Sequence, residues 1–179
     1  MLRSILVVFF CTIQLTGTAA SITLPPTVVT EIKEMEDSCR DRPNGLIKTD
    51  LSAIKILDIT GDGLSDYIID DSTIACESGL ASFHHGNGGV GIVIFAGTKN
   101  GALKVFDRTV LGIDIKPSKS PRVVWIKVGG AYCGKFSLKR KIDAITCERS
   151  LIWNKKRKKL VFTPLSQAVF SNKNHNSHP

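Results

Sequence analysis

The stretch VGIVIFAGTKNGALKVFDRTVLGIDIK, residues 90–116, sets the strongest limit on what this chain can fold into. Its apolar residues fall in short blocks around Asn100-Gly101, a dipeptide that suits a two-residue hairpin because both positions tolerate positive φ. The pattern predicts two strands turned at Asn100-Gly101 and a third after Arg108. Shorter runs behave alike: AIKILDI (53–59), DYIID (66–70), and RVVWIKV (122–128), where Val124, Ile126 and Val128 alternate with Val123, Trp125 and Lys127. RSLIWNKKRKKLVFTPL (149–165) reads as two apolar strands around a basic turn. The expected fold is therefore mainly β, a single antiparallel β domain of sandwich or meander type, and 179 residues give room for one such core.

A short helix is expected ahead of the strands. Pro25 and Pro26 suit a first turn, and Val28, Ile32, Met35 and Cys39 share one face at helical spacing. The segment RDRPNG ends it. No internal repeat of 20–50 residues is visible.

The first twenty residues read differently. Arg3 precedes an apolar run from Ile5 to Phe10 that continues to Leu15, and Thr18 and Ala20 suit the −3 and −1 positions of a signal-peptidase site. The run is shorter than the roughly 20 residues a spanning helix needs, so a cleaved signal is expected over an anchor, and no later segment is apolar enough to cross a membrane. The expected organisation is a signal peptide at 1–20, helix and linker at 21–45, a β domain at 46–166, and a disordered tail at 167–179. The expected location is periplasmic or secreted.

Export changes the reading of the cysteines. With Cys11 removed, Cys39, Cys76, Cys133 and Cys147 remain, an even number without a CxxC pair, which favours two disulfides over metal thiolates. Three connectivities are open. Cys39 to Cys76 with Cys133 to Cys147 is the most local and the one expected, each loop stabilising by about 3 to 4 kcal/mol on a chain-entropy account.

Charge is segregated. Residues 31–77 hold 12 acidic and 5 basic side chains, whereas 116–159 hold 14 basic and 2 acidic ones, so the molecule should be an electrostatic dipole. The acidic half contains LDITGDGLSDYIID (57–70). Asp58, Thr60, Asp62 and Asp66 occupy positions 1, 3, 5 and 9 of a loop, with glycine at position 6 and the Leu64 carbonyl at position 7. These are the oxygen donors that open an EF-hand loop, and calcium takes six to eight such oxygens. Position 12 is Ile69 where an EF-hand has glutamate, so an EF-hand is excluded. The residues leave open a calcium loop, which the mutual repulsion of three crowded carboxylates favours, a metal-free turn, and magnesium.

The stretch DITGDGLSDYIID resembles the signature of the FG-GAP and VCBS class of calcium loops, found in integrin-like propellers and many bacterial exported proteins. More narrowly, LDITGDGLSDYIID, Cys76, SFHHGNGGVGIVIF, and GGAYCG followed by CERSLIWN are similar in order to a family of small exported proteins of Gram-negative, alphaproteobacterial type. That similarity covers residues 50–155. The family's glycine loop often reads C-G-x-G-G-C, where this chain has His85 and Val90 in place of the cysteines. The resemblance implies calcium ligation at Asp58, Thr60, Asp62 and Asp66, and it implies no enzymatic activity. A propeller is not expected, since blades repeat and this loop occurs once.

Other constellations carry less. His84 and His85 are adjacent and would point to opposite faces of a strand, so a solvated loop is expected. The glycine run HGNGGVG lacks the Lys-Ser/Thr of a P-loop and leads into a β pattern. Ser82 near His84 supplies ingredients of nucleophilic catalysis without a pattern. The basic turn Lys155, Lys156, Arg157, Lys158 and Lys159 is either a solvated hairpin tip that guards edge strands or a patch for an anionic partner. The sequence thus points to an exported, disulfide-stabilised calcium-binding module without catalysis, its partner an anionic envelope polymer or another exported protein and not nucleic acid. The rival reading is a small exported metal-dependent hydrolase.

Overall fold

The computed structural model of the protein describes residues 23–41, 47–48, 54–76, 89–116, 120–134 and 146–170. The signal-peptide expectation for 1–20, Ser82, His84 and His85 lie outside them.

Two strands are apolar at consecutive positions and so need cover on both faces. In Asp66–Asp70, Ile68 and Ile69 are both fully buried, and in Val90–Thr98 residues 92–96 are all buried. The cover comes from a helix on one side and a second sheet on the other. The elements in chain order are α1 (Pro26–Arg40), β1 (Ile47–Lys48), β2 (Ile54–Leu57), β3 (Asp66–Asp70), β4 (Ala75–Cys76), β5 (Val90–Thr98), β6 (Gly101–Val110), β7 (Gly112–Lys116), β8 (Val123–Gly129), β9 (Thr146–Asn154), β10 (Lys159–Phe162) and β11 (Val169–Phe170). The first sheet has the order β2-β3-β5-β6 and the second β7-β8-β9-β10, with β11 also on β9; every pairing is antiparallel. Each sheet is a meander. Between β6 and β7 the chain passes from one sheet to the other through Leu111, whose N–H donates to the Lys127 carbonyl at 2.8 Å.

The layers follow from side-chain alternation. Ile68, Ile92, Ile94 and Ala96 face the second sheet and pack with Val124, Ile126, Val128, Leu151 and Leu160. Ile54, Ile69, Val93 and Phe95 face the other way and pack with Val28 and Ile32 of α1. The helix has the boundaries and apolar face expected of it, with Met35 partly buried against the same cluster. Two disulfides brace the layers in the local pairing. Cys39–Cys76 ties the end of α1 to β4, and Cys133–Cys147 joins the turn after β8 to the start of β9.

Three local expectations need correcting. The β5–β6 loop is Lys99-Asn100, since Thr98 pairs with Gly101; the glycine spends its freedom at the closing position, at φ 143°, and both loop residues keep negative φ. The tail does not begin at 167. Leu165–Gln167 form a 3₁₀ turn, and Val169 and Phe170 pair with Glu148 and Cys147, because the free edge of β9 before β10 begins offers unpaired main-chain groups. Finally, β9 starts at Thr146 and carries an arginine into the core-facing register: Arg149 lies opposite Ile126.

Among the described residues no helix is long and apolar enough to cross a membrane.

Candidate functional site

The acidic loop joins β2 to β3, closed by the pair Leu57 and Asp66. Two of its glycines take left-handed backbone, Gly61 at φ 77° and Gly63 at φ 80°, which winds the loop tightly. Winding turns main-chain N–H groups toward the side chains. Asp58 Oδ1 accepts from Gly61 N at 2.7 Å, Asp58 Oδ2 accepts from Gly63 N at 3.3 Å, and Asp62 Oδ1 accepts from Leu64 N at 2.9 Å.

The loop also reaches the second sheet. Ser120 Oγ donates to Asp58 Oδ2, Arg122 N donates to the Asp58 carbonyl at 2.7 Å, and a Cβ on Gly61 would sit 3.4 Å from Pro121. Residues 120–122 lead into β8, so Asp58 links the sheets at one end. The Ser120 hydrogen bond is the main cause that holds the Asp58 carboxyl below its ordinary range, outweighing partial burial and helped by the loop N–H groups.

Asp66 is set apart from the other acids. It is fully buried, and three main-chain N–H groups converge on it: Ile59 at 2.7 Å and Thr60 at 2.9 Å on Oδ2, and Gly97 at 2.8 Å on Oδ1. Burial is the largest influence and pushes its pKa up against the pull of those donors. Gly97 is required beside it, since a Cβ there would meet the Ser65 carbonyl oxygen at 2.1 Å. Asp66 therefore clamps the loop to β5.

Asp58, Thr60, Asp62 and the Leu64 carbonyl are the loop's remaining oxygen donors. The Thr60 hydroxyl is buried and has no hydrogen-bond partner. Among the described residues no three His, Cys, Asp or Glu side chains gather as a metal-holding group. The donor set is nonetheless all oxygen, with carboxylate, hydroxyl and carbonyl in one wound loop, which is the chemistry calcium uses.

The basic turn lies elsewhere, at the β9–β10 connection. Lys155, Lys156, Arg157, Lys158 and Lys159 are all exposed. The Asn154 side chain shapes the turn: its Oδ1 accepts from Arg157 N at 2.9 Å. Lys158 adopts φ 49°, a backbone conformation that glycine or asparagine usually fills.

Sequence reasoning missed two buried acids. Asp70 accepts from Ser72 N at 3.0 Å and caps the 3₁₀ turn Asp71–Thr73, while Asp71 lies against Gly91, where a Cβ would come within 2.4 Å of Oδ2. Asp-Asp-Ser-Thr after a strand is a capping pattern, and the glycine at 91 is its counterpart. Gly89 is likewise explained by packing, since a Cβ would meet the Val110 carbonyl oxygen at 2.0 Å.

Fold and loop together define a class: an antiparallel β-sandwich of two meander sheets, backed by one helix, braced by two disulfides, and clasped at one end by an acidic glycine-wound loop. No protein-family model, curated protein or solved structure matches the chain.

Proposed function

We propose that the protein acts outside the cytoplasm as a non-catalytic binding or structural module, with calcium held in the acidic loop and an anionic partner, an envelope polymer in particular, meeting the basic hairpin. The observation that carries this reading is the buried Thr60 hydroxyl, left without a partner in a loop whose other donors are carboxylate and carbonyl oxygens. A buried hydroxyl lacking a partner costs about 1–3 kcal/mol, and a cation in the loop offsets that cost. Asp58, Thr60, Asp62 and the Leu64 carbonyl would hold the ion, and Asp66 would keep the loop's pitch. Bound calcium would neutralise acids at the junction of the two sheets. The two disulfides suit an oxidising compartment, which supports the exported reading of residues 1–20.

Thermal unfolding of the mature, metal-stripped protein in calcium and in chelator tests the loop. Calcium at ten times its Kd should stabilise by about 1.4 kcal/mol, and Asp62→Ala should remove the difference. Equal melting in both conditions would remove calcium from the reading. The hairpin is tested separately, by replacing 155–159 with Ser and Gln and measuring retention on lipopolysaccharide or heparin. Retention should weaken and lose salt dependence; unchanged retention at low salt would leave the turn a solvated tip.

A further inference from the structure

Alternation along β6 and β9 places two arginines toward the space between the sheets. Arg108 lies opposite Ile92, and Arg149 opposite Ile126, both core residues. The acid beside each arginine is turned away. Asp107 lies opposite Val93, which faces α1, and sits 3.5 Å from Lys104; Glu148 lines a notch on the outer face with Trp125 and Lys127. Among the described residues neither guanidinium forms an ion pair with a carboxylate.

Tyr132, in the 3₁₀ turn Gly130–Cys133, connects the two cations. Arg108 Nη1 donates to its hydroxyl oxygen at 2.9 Å, and Arg149 Nη1 donates to its main-chain carbonyl at 2.9 Å. Arg149 Nη2 also donates to the Thr163 carbonyl, and the guanidinium lies over the Phe162 ring at 4.9 Å from its centroid. Phe162 in turn packs against Tyr132 at 5.5 Å and Phe106 at 5.9 Å. The Tyr132 hydroxyl and ring thus hold Arg108, carbonyls and the Phe162 ring hold Arg149, and among the described residues no carboxylate neutralises either charge.

Arg149 is only partly exposed; a partly desolvated cation without a counter-ion is costly, and an anion that reaches it offsets the cost. The tyrosine hydroxyl accepts from Arg108, so its own proton is free to donate beside the guanidinium fork. That fork matches the oxygens of phosphate or sulfate. Arg108 is exposed and Tyr132 is 40% exposed, so the place is open to solvent. A cleft of about 170 Å³ adjoins Tyr132, lined also by Thr109, Val110, Leu111, Val128 and Gly129.

We propose that Arg108, Tyr132 and Arg149 form a binding site for a tetrahedral oxyanion, phosphate or sulfate, either free or carried on a polymer. The site stands independently of the 155–159 turn and of calcium.

The test measures binding of inorganic phosphate, inorganic sulfate and polyphosphate to the full mature protein, against chloride at matched ionic strength. Binding by at least one of them is expected. Arg108→Gln should weaken it about tenfold, the loss of one charge-assisted contact. Tyr132→Phe, which keeps the ring, should weaken it several-fold with the circular dichroism unchanged. The variant lacking the 155–159 charges should keep the affinity for inorganic phosphate. Tighter binding of polyphosphate, per phosphate and still dependent on Arg108, assigns the anion to a polymer; equal binding assigns it to a free ion. No binding of any of the three overturns the proposal, as does an affinity unchanged in both Arg108→Gln and Tyr132→Phe.

Discussion

The two hairpin connections that carry the molecule's concentrated charge are built in opposite ways. The acidic loop between β2 and β3 is wound inward. Its carboxylates collect main-chain N–H groups from the loop and from β5, its glycines supply the left-handed backbone, and Asp58 reaches Ser120 on the path to the second sheet. The basic turn between β9 and β10 projects outward. The β9–β10 pairing closes it, an Asn154 side-chain hydrogen bond shapes it, and a lysine takes the left-handed position. Acid charge is thus part of how the sheets are joined, whereas basic charge is added at a tip that the core does not need. Changes in the first should therefore act on stability, and changes in the second on binding.

Three substitutions sharpen or break that contrast. Asp66→Ala carries the largest expected effect. It leaves the N–H groups of Ile59, Thr60 and Gly97 without their acceptor in a buried place, and should cost about 3–5 kcal/mol in chemical denaturation. A loss below 1 kcal/mol would mean that the loop is not clamped to β5. Gly97→Ala comes next, at about 2 kcal/mol, because the added methyl collides with the Ser65 carbonyl and must displace main chain. Lys158→Gly is smallest and opposite in sign. Relief of left-handed strain exceeds the entropy glycine gains in the unfolded chain, so stability should rise by about half a kcal/mol. Destabilisation there would show that the lysine side chain makes a contact the fold relies on.

Much of the fold was legible in short-range pattern. DYIID reads as a strand and forms one over the same five residues, the helix face Val28, Ile32 and Cys39 is buried as its spacing requires, and the most local cysteine pairing is the one formed. These features rest on periodicity and chain proximity, both local. The hairpin loop falls at 99–100, one residue ahead of the dipeptide that marks it, because Asn-Gly suits two turn geometries and the choice between them depends on the register of the paired strands. The acidic loop was legible as a concentration of oxygen donors, but the separation of Asp66 from the rest was not. All four donors look equivalent in the sequence. Only the approach of Gly97, thirty-one residues away, makes one of them a buried clamp.

Local sequence, by itself, determined the β character, the helix and the separation of acid from base, and favoured the local cysteine pairing without fixing it, because strand alternation, helical spacing, loop entropy and composition are properties of neighbouring residues. The tertiary structure decided that β3 and β5 would be covered on both faces, that Asp58 would join the sheets through Ser120, and that Arg108 and Arg149 would meet around Tyr132 with their neighbouring acids turned away. Those outcomes depend on which strands pair and in what register, and a one-residue slip in β3, β5, β6 or β9 would send the side chains of that strand to the opposite face.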